Sequence, residues 1–504
     1  MTTPSIRVRK PHRATPLPTR LPALLAIFLA FSAAIATAED KPSVVRVNVT
    51  NQSWDFTRPW GKRQPSTRRA IGAVIAGPRV LVAAALVQNA TYLEFEVPEG
   101  GRKVPAQIEF VDYECNLAIL KTDDADFLKD IPPLAIADAK TTDELSVLQL
   151  EDNGRVLITK GPLTTAQTSP YPVDGIFLVY RMTVQIQTRD SSFTLPVAKD
   201  GKLAGVLMSY NAQNNDATLI PAEVIRHFLK DAADGKYDGF PRAGYAFSPT
   251  RDPALRNYAK IPKDITGGIY ITEVRAGGPS AKAGLKRGDV LIGVDDFAVD
   301  QDGNYTDPVH GKISIGHHTG SHKFAGETVK LHILRDGAKQ TLEATLDHKA
   351  PGAYVSDPYI VDRAPRFVIL GGLILQELSR QWLREYTAGD QGRRTPDRLA
   401  YYDRYQDELF EKGPKKIVFL TRILPTPETV GYEEISNIVV KKINGVELQS
   451  LDDVAKAIEK PVNGFHEIDF AEDPNRIYLD AARTAEIERL VQARYRIPTM
   501  KRLE

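Results

Sequence analysis

The sequence predicts a mainly β protein with smaller α+β modules: an antiparallel barrel or sandwich, followed by two units that echo each other. Three observations carry this reading. Residues 43 to about 220 fall into short apolar segments, "SVVRVNVT", "IGAVIAG", "RVLVAAALV", "LAILKT", "GIFLVYRMTVQIQT" and "LAGVLMSYN" among them, separated by turn residues, and many short strands at such spacing mark an all-β barrel or sandwich. Glycine- and proline-rich breaks at 233–244 ("ADGKYDGFPRAG") and 347–365 ("DHKAPGAYVSDPYIVDRAP") divide the rest of the chain. The pieces after the second break repeat, in diverged form, those after the first. A chain of 504 residues exceeds one hydrophobic core, so several domains are expected.

Each segment has its own signal. Residues 1–38 open with the basic, acid-free "MTTPSIRVRKPHRATPLPTR", continue as the apolar "LPALLAIFLAFSAAIA" and close on Ala36-Thr37-Ala38 before Glu39. That order reads as a cleaved signal peptide, with an uncleaved anchor as the alternative, and places the protein in the periplasm or another extracytoplasmic space. A barrel then spans 41–235, and "IPAEVIRHFLKD" (220–231) reads as its closing helix, with Ile225 and Phe228 on the apolar side. The second unit, 240–348, contains the strand "GGIYITEV", a short helix "SAKAGL" with Ser280 at its start, the strand "DVLIGVDDFAV" and a hairpin turning at Asp336-Gly337. The third, 360–480, has "RFVILGGLILQEL", an Asn444-Gly445 turn and the helix "LDDVAKAIEK", interrupted by a charged, tyrosine-rich insertion at 386–415. The tail, 481–504, places Ile487, Leu490, Val491 and Tyr495 at helical spacing, so one face should dock on a neighbour.

Bulk chemistry excludes some partners. With 65 basic and 64 acidic residues the net charge is +1, so no overall field draws the chain to nucleic acid. The one local basic loop, 58–69 ("RPWGKRQPSTRR"), reads as solvated or as a contact between subunits. Cys115 is the only cysteine, which excludes an intramolecular disulfide, and its apolar surroundings predict burial.

The stretch "GGIYITEVRAGGPSAKAGLKRGDVLIGVDD" resembles a PDZ domain of the Deg/HtrA protease family, "AKAGLKRGDVL" being its specific part. "RFVILGGLILQELSRQWLREY", "IVFLTRILPTPETVGYEEISNIVVKKINGVELQSLDDVAKAI" and the final "YRIP" resemble the second PDZ domain of the plant-type Deg proteases. The resemblance implies a trypsin-like double β-barrel followed by two PDZ domains, and a homo-oligomer built on trimers. It also implies peptide capture, because a glycine beside an apolar strand lets a terminal carboxylate approach backbone N–H groups. The expected groove is Thr266, Gly267, Gly268, Ile269, Tyr270 and Ile271, with a possible second groove at Leu370, Gly371, Gly372 and Leu373.

The family's catalytic pattern is broken. With Gly201 of "AKDGKLAGV" setting the register, Ser192 falls at the nucleophile position, while Asp190 stands where the oxyanion glycine belongs and Phe193 and Thr194 replace the two glycines after the serine. Ala85 in "LVAAALVQNAT" takes the place of the histidine, and Asn116 in "ECNLAILKT" that of the aspartate. Between the signal and residue 310 the one histidine is His227, on the closing helix. A triad without its base keeps only residual activity, and a carboxylate at position 190 would repel the oxyanion. A serine-lysine dyad using Lys199 or Lys202 is the remaining catalytic route, but both read as exposed turn lysines rather than desolvated bases.

The expectation is therefore a catalytically silent family member. It would bind peptides or unfolded segments of exported proteins as an adaptor, scaffold or chaperone-like factor, without nucleic acid or cofactor. Assembly with an active protease paralogue is a variant of that reading, and a serine endopeptidase with an unorthodox site at Ser192 is the alternative. "HGKISIGHHTGSHKF" gathers His310, His317, His318 and His322, with 318 and 322 at i, i+4 spacing. No acid lies inside the cluster, so it reads as polar lining of the peptide groove or as solvated surface, and no metal is expected.

Overall fold

Alternating β-branched residues set the first sheet. Val44–Asn51 carries Val45, Val47 and Val49 into one core and Val44 into another, as the period-two geometry of a strand requires. The computed structural model describes residues 42–187, 194–388, 394–412 and 415–504; residues 1–41, which hold the expected signal segment, lie outside these. Seven antiparallel strands pair in the order Lys103–Pro105, Ala90–Glu96, Val44–Asn51, Ser66–Ile75, Arg79–Ala83, Leu117–Lys121, Gln107–Asp112. Phe95, Val74, Val82 and Leu120 fill that sheet's core.

The next six strands close on themselves. Ile176–Thr183, Asp216–Pro221, Lys202–Asn211, Pro196–Lys199, Glu144–Leu150 and Val156–Pro170 form a closed barrel, which leaves no edge to aggregate. The helix Ala222–Asp231 seals it with Val224, Ile225 and Phe228, all fully buried. Cys115 is buried within the shared core, as expected.

A third sheet follows in the order Tyr245–Pro249, Ile269–Val274, Val290–Val294, Thr328–Arg335, Ala338–Thr345. Its last hairpin turns at Asp336-Gly337, both at positive φ. The short helix begins at Pro279 instead of Ser280. Ser280 is buried, its hydroxyl donating to the Ala243 carbonyl at 2.7 Å. A second helix, Ile315–Gly320, is capped by the Ser314 hydroxyl.

The fourth sheet runs Arg476–Asp480, Phe465–Phe470, Ile438–Ile443, Val418–Ile423, Leu373–Glu377, Phe367–Leu370, Lys501–Arg502. Ser450 caps its helix Leu451–Ala457. The C-terminal helix Ala481–Tyr495 packs Ile487 and Val491 against Phe367, Ile369 and Ile374, whereas Leu490 stays exposed.

The helix that leads into the insertion holds the segment around the basic loop. Trp382 of the helix Arg380–Ala388 is buried with Phe56 and Phe419. On the same helix Glu385 accepts from the Phe56 N–H and pairs with Arg63 at 2.8 Å. Arg502 stacks over Trp54 at 4.3 Å and donates to the Pro59 carbonyl. The loop at 58–69 is thus anchored at Pro59 and Arg63, while Arg58 and residues 62–67 stay exposed, in keeping with its reading as a largely solvated segment.

Candidate functional sites: a catalytic corner and a peptide cleft

The strand Arg79–Ala83 runs into a single helical turn, Ala84–Val87. Asn116, buried and in the left-handed conformation (φ 56°), meets this turn. Its side-chain oxygen accepts from the Ala85 N–H at 2.9 Å and its backbone carbonyl from Ala84 at 3.0 Å. Thr194 is buried beside them, its hydroxyl accepting from the Ala83 N–H at 3.3 Å. The fold thus brings together Ala85, Asn116 and the segment leading out of Ser192; Asp190, Ser192 and Phe193 themselves lie outside the described residues. A methyl and a carboxamide cannot take up a proton near neutral pH.

The alternative bases are occupied elsewhere. His227 is sandwiched between Phe240 (4.0 Å between ring centroids) and Phe324 (4.1 Å), with Nε2 on the Lys323 carbonyl. Burial pushes its pKa below the usual histidine range. Lys199 is ion-paired with Asp143, and Lys202 is exposed.

The expected groove at Thr266–Ile271 is corrected by the sheet itself. Ile269 and Tyr270 pair with Pro249 and Ser248 on one side and with Leu291 and Val290 on the other. A strand with both edges bonded cannot accept a peptide. The edge belongs to Tyr245–Pro249, whose outer side pairs with no strand among the described residues.

This edge borders a cleft of about 560 Å³. Tyr245 and Phe247 form one wall, Ile315, Gly316 and Thr319 the other, and the hairpin tip around Asp174 lies at its rim. The carbonyl of Ala243 points at Ser280 and that of Gly244 at the Arg275 N–H (2.9 Å). In a trans peptide the N–H points opposite its carbonyl, so the Gly244 and Tyr245 N–H groups face away from those partners, and both residues line the cleft. Gly244 sits at φ 80°, a conformation that favours glycine. Arg242, Arg275 and Arg384 line the same space. Burial opposes the Arg242 charge, but Glu114 and Asp174, each at 2.8 Å, hold its pKa above the usual value. The signal missed in the sequence was "AGYAFSP": a glycine opening a short apolar-alternating strand just after the break.

The second expected groove is also corrected. Leu370 pairs with Leu373, and Gly371 (φ 56°) and Gly372 (φ 107°) form the two-residue turn between them. The strand Phe367–Leu370 lies along Leu373–Glu377, and its Val368 and Leu370 share a core with Leu451 and Val454 of the facing helix. Its outer side pairs with Lys501–Arg502. The position a peptide would take is filled by the chain.

The four histidines part company. His318 bonds Asp295 at 2.8 Å, while His310, His317 and His322 converge on Glu223 of the barrel's closing helix. His322 lies beyond the end of the helix, so the i, i+4 pair shares no site.

Models of the PDZ domain match residues 243–346 and 357–501. Protease Do-like 2, chloroplastic, of Arabidopsis thaliana is 25% identical over 425 residues, covering 83% of this chain and 68% of that protein. Protease Do-like 4, mitochondrial, of the same plant is 25% identical over 461 residues, covering 91% and 84%. Among solved structures, the HtrA-type protease AlgW with tripeptide aligns with a TM-score of 0.47 at 18% identity, over 62% of this chain and 95% of that one. A β-rich double-sheet body carrying two PDZ modules, similar along nearly its whole described length to Do-like proteases, supports placing this chain with the Deg/HtrA family.

Proposed function

We propose that the protein is an exported, catalytically silent Deg/HtrA member that captures C-terminal or extended segments of other exported proteins in the cleft of its first PDZ module. The observation that carries this reading is the open Tyr245–Pro249 edge beside the Gly244–Tyr245 turn. A peptide would add as a strand along that edge, its terminal carboxylate taking the Gly244 and Tyr245 N–H groups. The five-residue edge suits about four peptide residues. The protein then works as an adaptor, scaffold or chaperone-like factor, assembled as a homo-oligomer, and an active paralogue is one candidate partner.

One observation favours proteolysis as a second reading. Ala85, Asn116 and the approach to Ser192 still converge on one corner. The test is incubation of the purified chain with an unfolded substrate and a fluorophosphonate probe, alongside Ser192→Ala. The proposal expects neither cleavage nor labelling in either protein. Cleavage and labelling that disappear in Ser192→Ala would overturn it and start the search for a replacement base.

A further inference from the structure

We propose that Glu223, His310, His317 and His322 form a binding site for a divalent transition-metal ion of the zinc class, bridging the barrel and the first PDZ module. Three imidazoles surround one carboxylate. Nε2 of His310 lies 3.1 Å from Glu223 Oε2, Nε2 of His317 lies 3.1 Å from Oε1, and Nε2 of His322 lies 2.9 Å from Oε1. The donor atoms of Glu223, His310 and His317 all fall within 4.8 Å of one another. Donors around a tetrahedral zinc, each about 2.0–2.2 Å from the metal, stand about 3.3 Å apart, so small side-chain adjustments bring Glu223, His310 and His317 onto one ion, while His322, whose donor groups with those of Asp307 and His317, swings in as the fourth ligand.

The second observation is an unmet polar demand. His317 is 1% exposed, yet neither of its ring nitrogens makes a hydrogen bond, and Glu223 Oε1, which faces its Nε2, is buried without one as well. A buried polar atom without a partner is costly. Two of them, one a carboxylate oxygen and one an imidazole nitrogen, meet at contact distance in a geometry that satisfies neither. A cation between them satisfies both.

The surroundings fit a metal centre. Asp307 has its carboxylate within 4.8 Å of the His317 and His322 donors, and it is itself fixed by the Tyr305 hydroxyl (2.7 Å) and the N–H groups of Val309 and His310. Carboxylates in such positions orient ligating imidazoles. His322, 36% exposed, gives a path from solvent. Three histidines and a carboxylate suit zinc, cobalt or nickel better than calcium or magnesium, which prefer oxygen. Because Glu223 belongs to the barrel's closing helix and His317 to the helix that walls the peptide cleft, the ion would tie the cleft wall to the barrel.

The test uses the purified full chain, stripped with a chelator and titrated with Zn²⁺ alone and with Co²⁺ alone, beside Glu223→Gln, His317→Gln and a control, His332→Gln. The expected result is one equivalent of metal per chain, intense visible bands of tetrahedral cobalt and a rise in Tm on zinc addition of roughly 5 °C. Each ligand variant should weaken binding at least ~10-fold, and the control should not. No metal beyond that retained by Glu223→Gln, or weak octahedral cobalt bands in the unaltered chain, would overturn the proposal. The cobalt spectrum needs no variant, so it decides even if His317→Gln fails to fold.

Discussion

The two PDZ modules share a sheet plan and differ at one edge. In the first, Tyr245–Pro249 is outermost and faces a cleft; in the second, the corresponding strand Leu373–Glu377 is covered by Phe367–Leu370, which is covered in turn by Lys501–Arg502. The difference comes from a short preceding segment. "RFVIL" supplies four apolar residues ending in a Gly-Gly turn, so the chain folds back as a strand, whereas "FPRAG" supplies proline, arginine and one glycine, so the chain arrives at the edge without covering it. An unpaired edge is a liability unless it binds something. One module keeps such an edge and the other has converted it into core.

Substitutions can break or sharpen this contrast. Phe367 is fully buried, so Phe367→Ala should cost about 3–5 kcal/mol in urea denaturation. Phe247→Ala, at the half-buried open edge, should cost less than half as much; equal losses would mean the first edge is packed into the core as tightly as the second. Next come the glycines. A Cβ on Gly372 would lie 2.8 Å from the Leu424 carbonyl oxygen at φ 107°, whereas one on Gly244 meets nothing closer than 3.5 Å. Gly372→Ala should therefore cost about 2–3 kcal/mol and Gly244→Ala about 1 kcal/mol.

The smallest effect is a pH slope where the barrel meets the first PDZ module. Burial between Phe240 and Phe324 lowers the His227 pKa below its unfolded value. The unfolded chain therefore binds the proton more readily, and this contribution to stability is complete above pH 6.5 and is lost as pH falls below it. Replacing the ring by His227→Phe should flatten the dependence of Tm on pH between about 5 and 7. An unchanged profile would mean that the sandwich does not govern that charge.

Much of the fold was legible because it rests on local signals. Strand alternation, the Asp336-Gly337 and Asn444-Gly445 turns and the apolar side of the closing helix are all encoded within a few residues. The corner of Ala85 and Asn116 was legible through the family pattern, and the Asn116 hydrogen bond to Ala85 joins the two positions. The peptide edge was misplaced because strand order is non-local: "GGIYITEV" has the composition of an edge strand, and only its pairing with both Val290–Val294 and Tyr245–Pro249 makes it interior. The histidine cluster was misread for a similar reason. Its carboxylate, Glu223, lies 87 residues upstream of His310 and reaches it only through the packing of barrel on PDZ module.

The most direct test of the account is the affinity of the full chain for a short apolar peptide with a free C-terminus and for the same peptide as its C-terminal amide, repeated with Gly316→Trp. Gly316 lines the cleft, and a Cβ there meets nothing nearer than 3.5 Å, so the indole should fill the cleft without disturbing the fold. The account predicts that the free acid binds, that the amide binds at least ~10-fold more weakly, and that Gly316→Trp abolishes binding at unchanged Tm. Equal affinity for acid and amide, or full binding by Gly316→Trp, would contradict capture at the open edge.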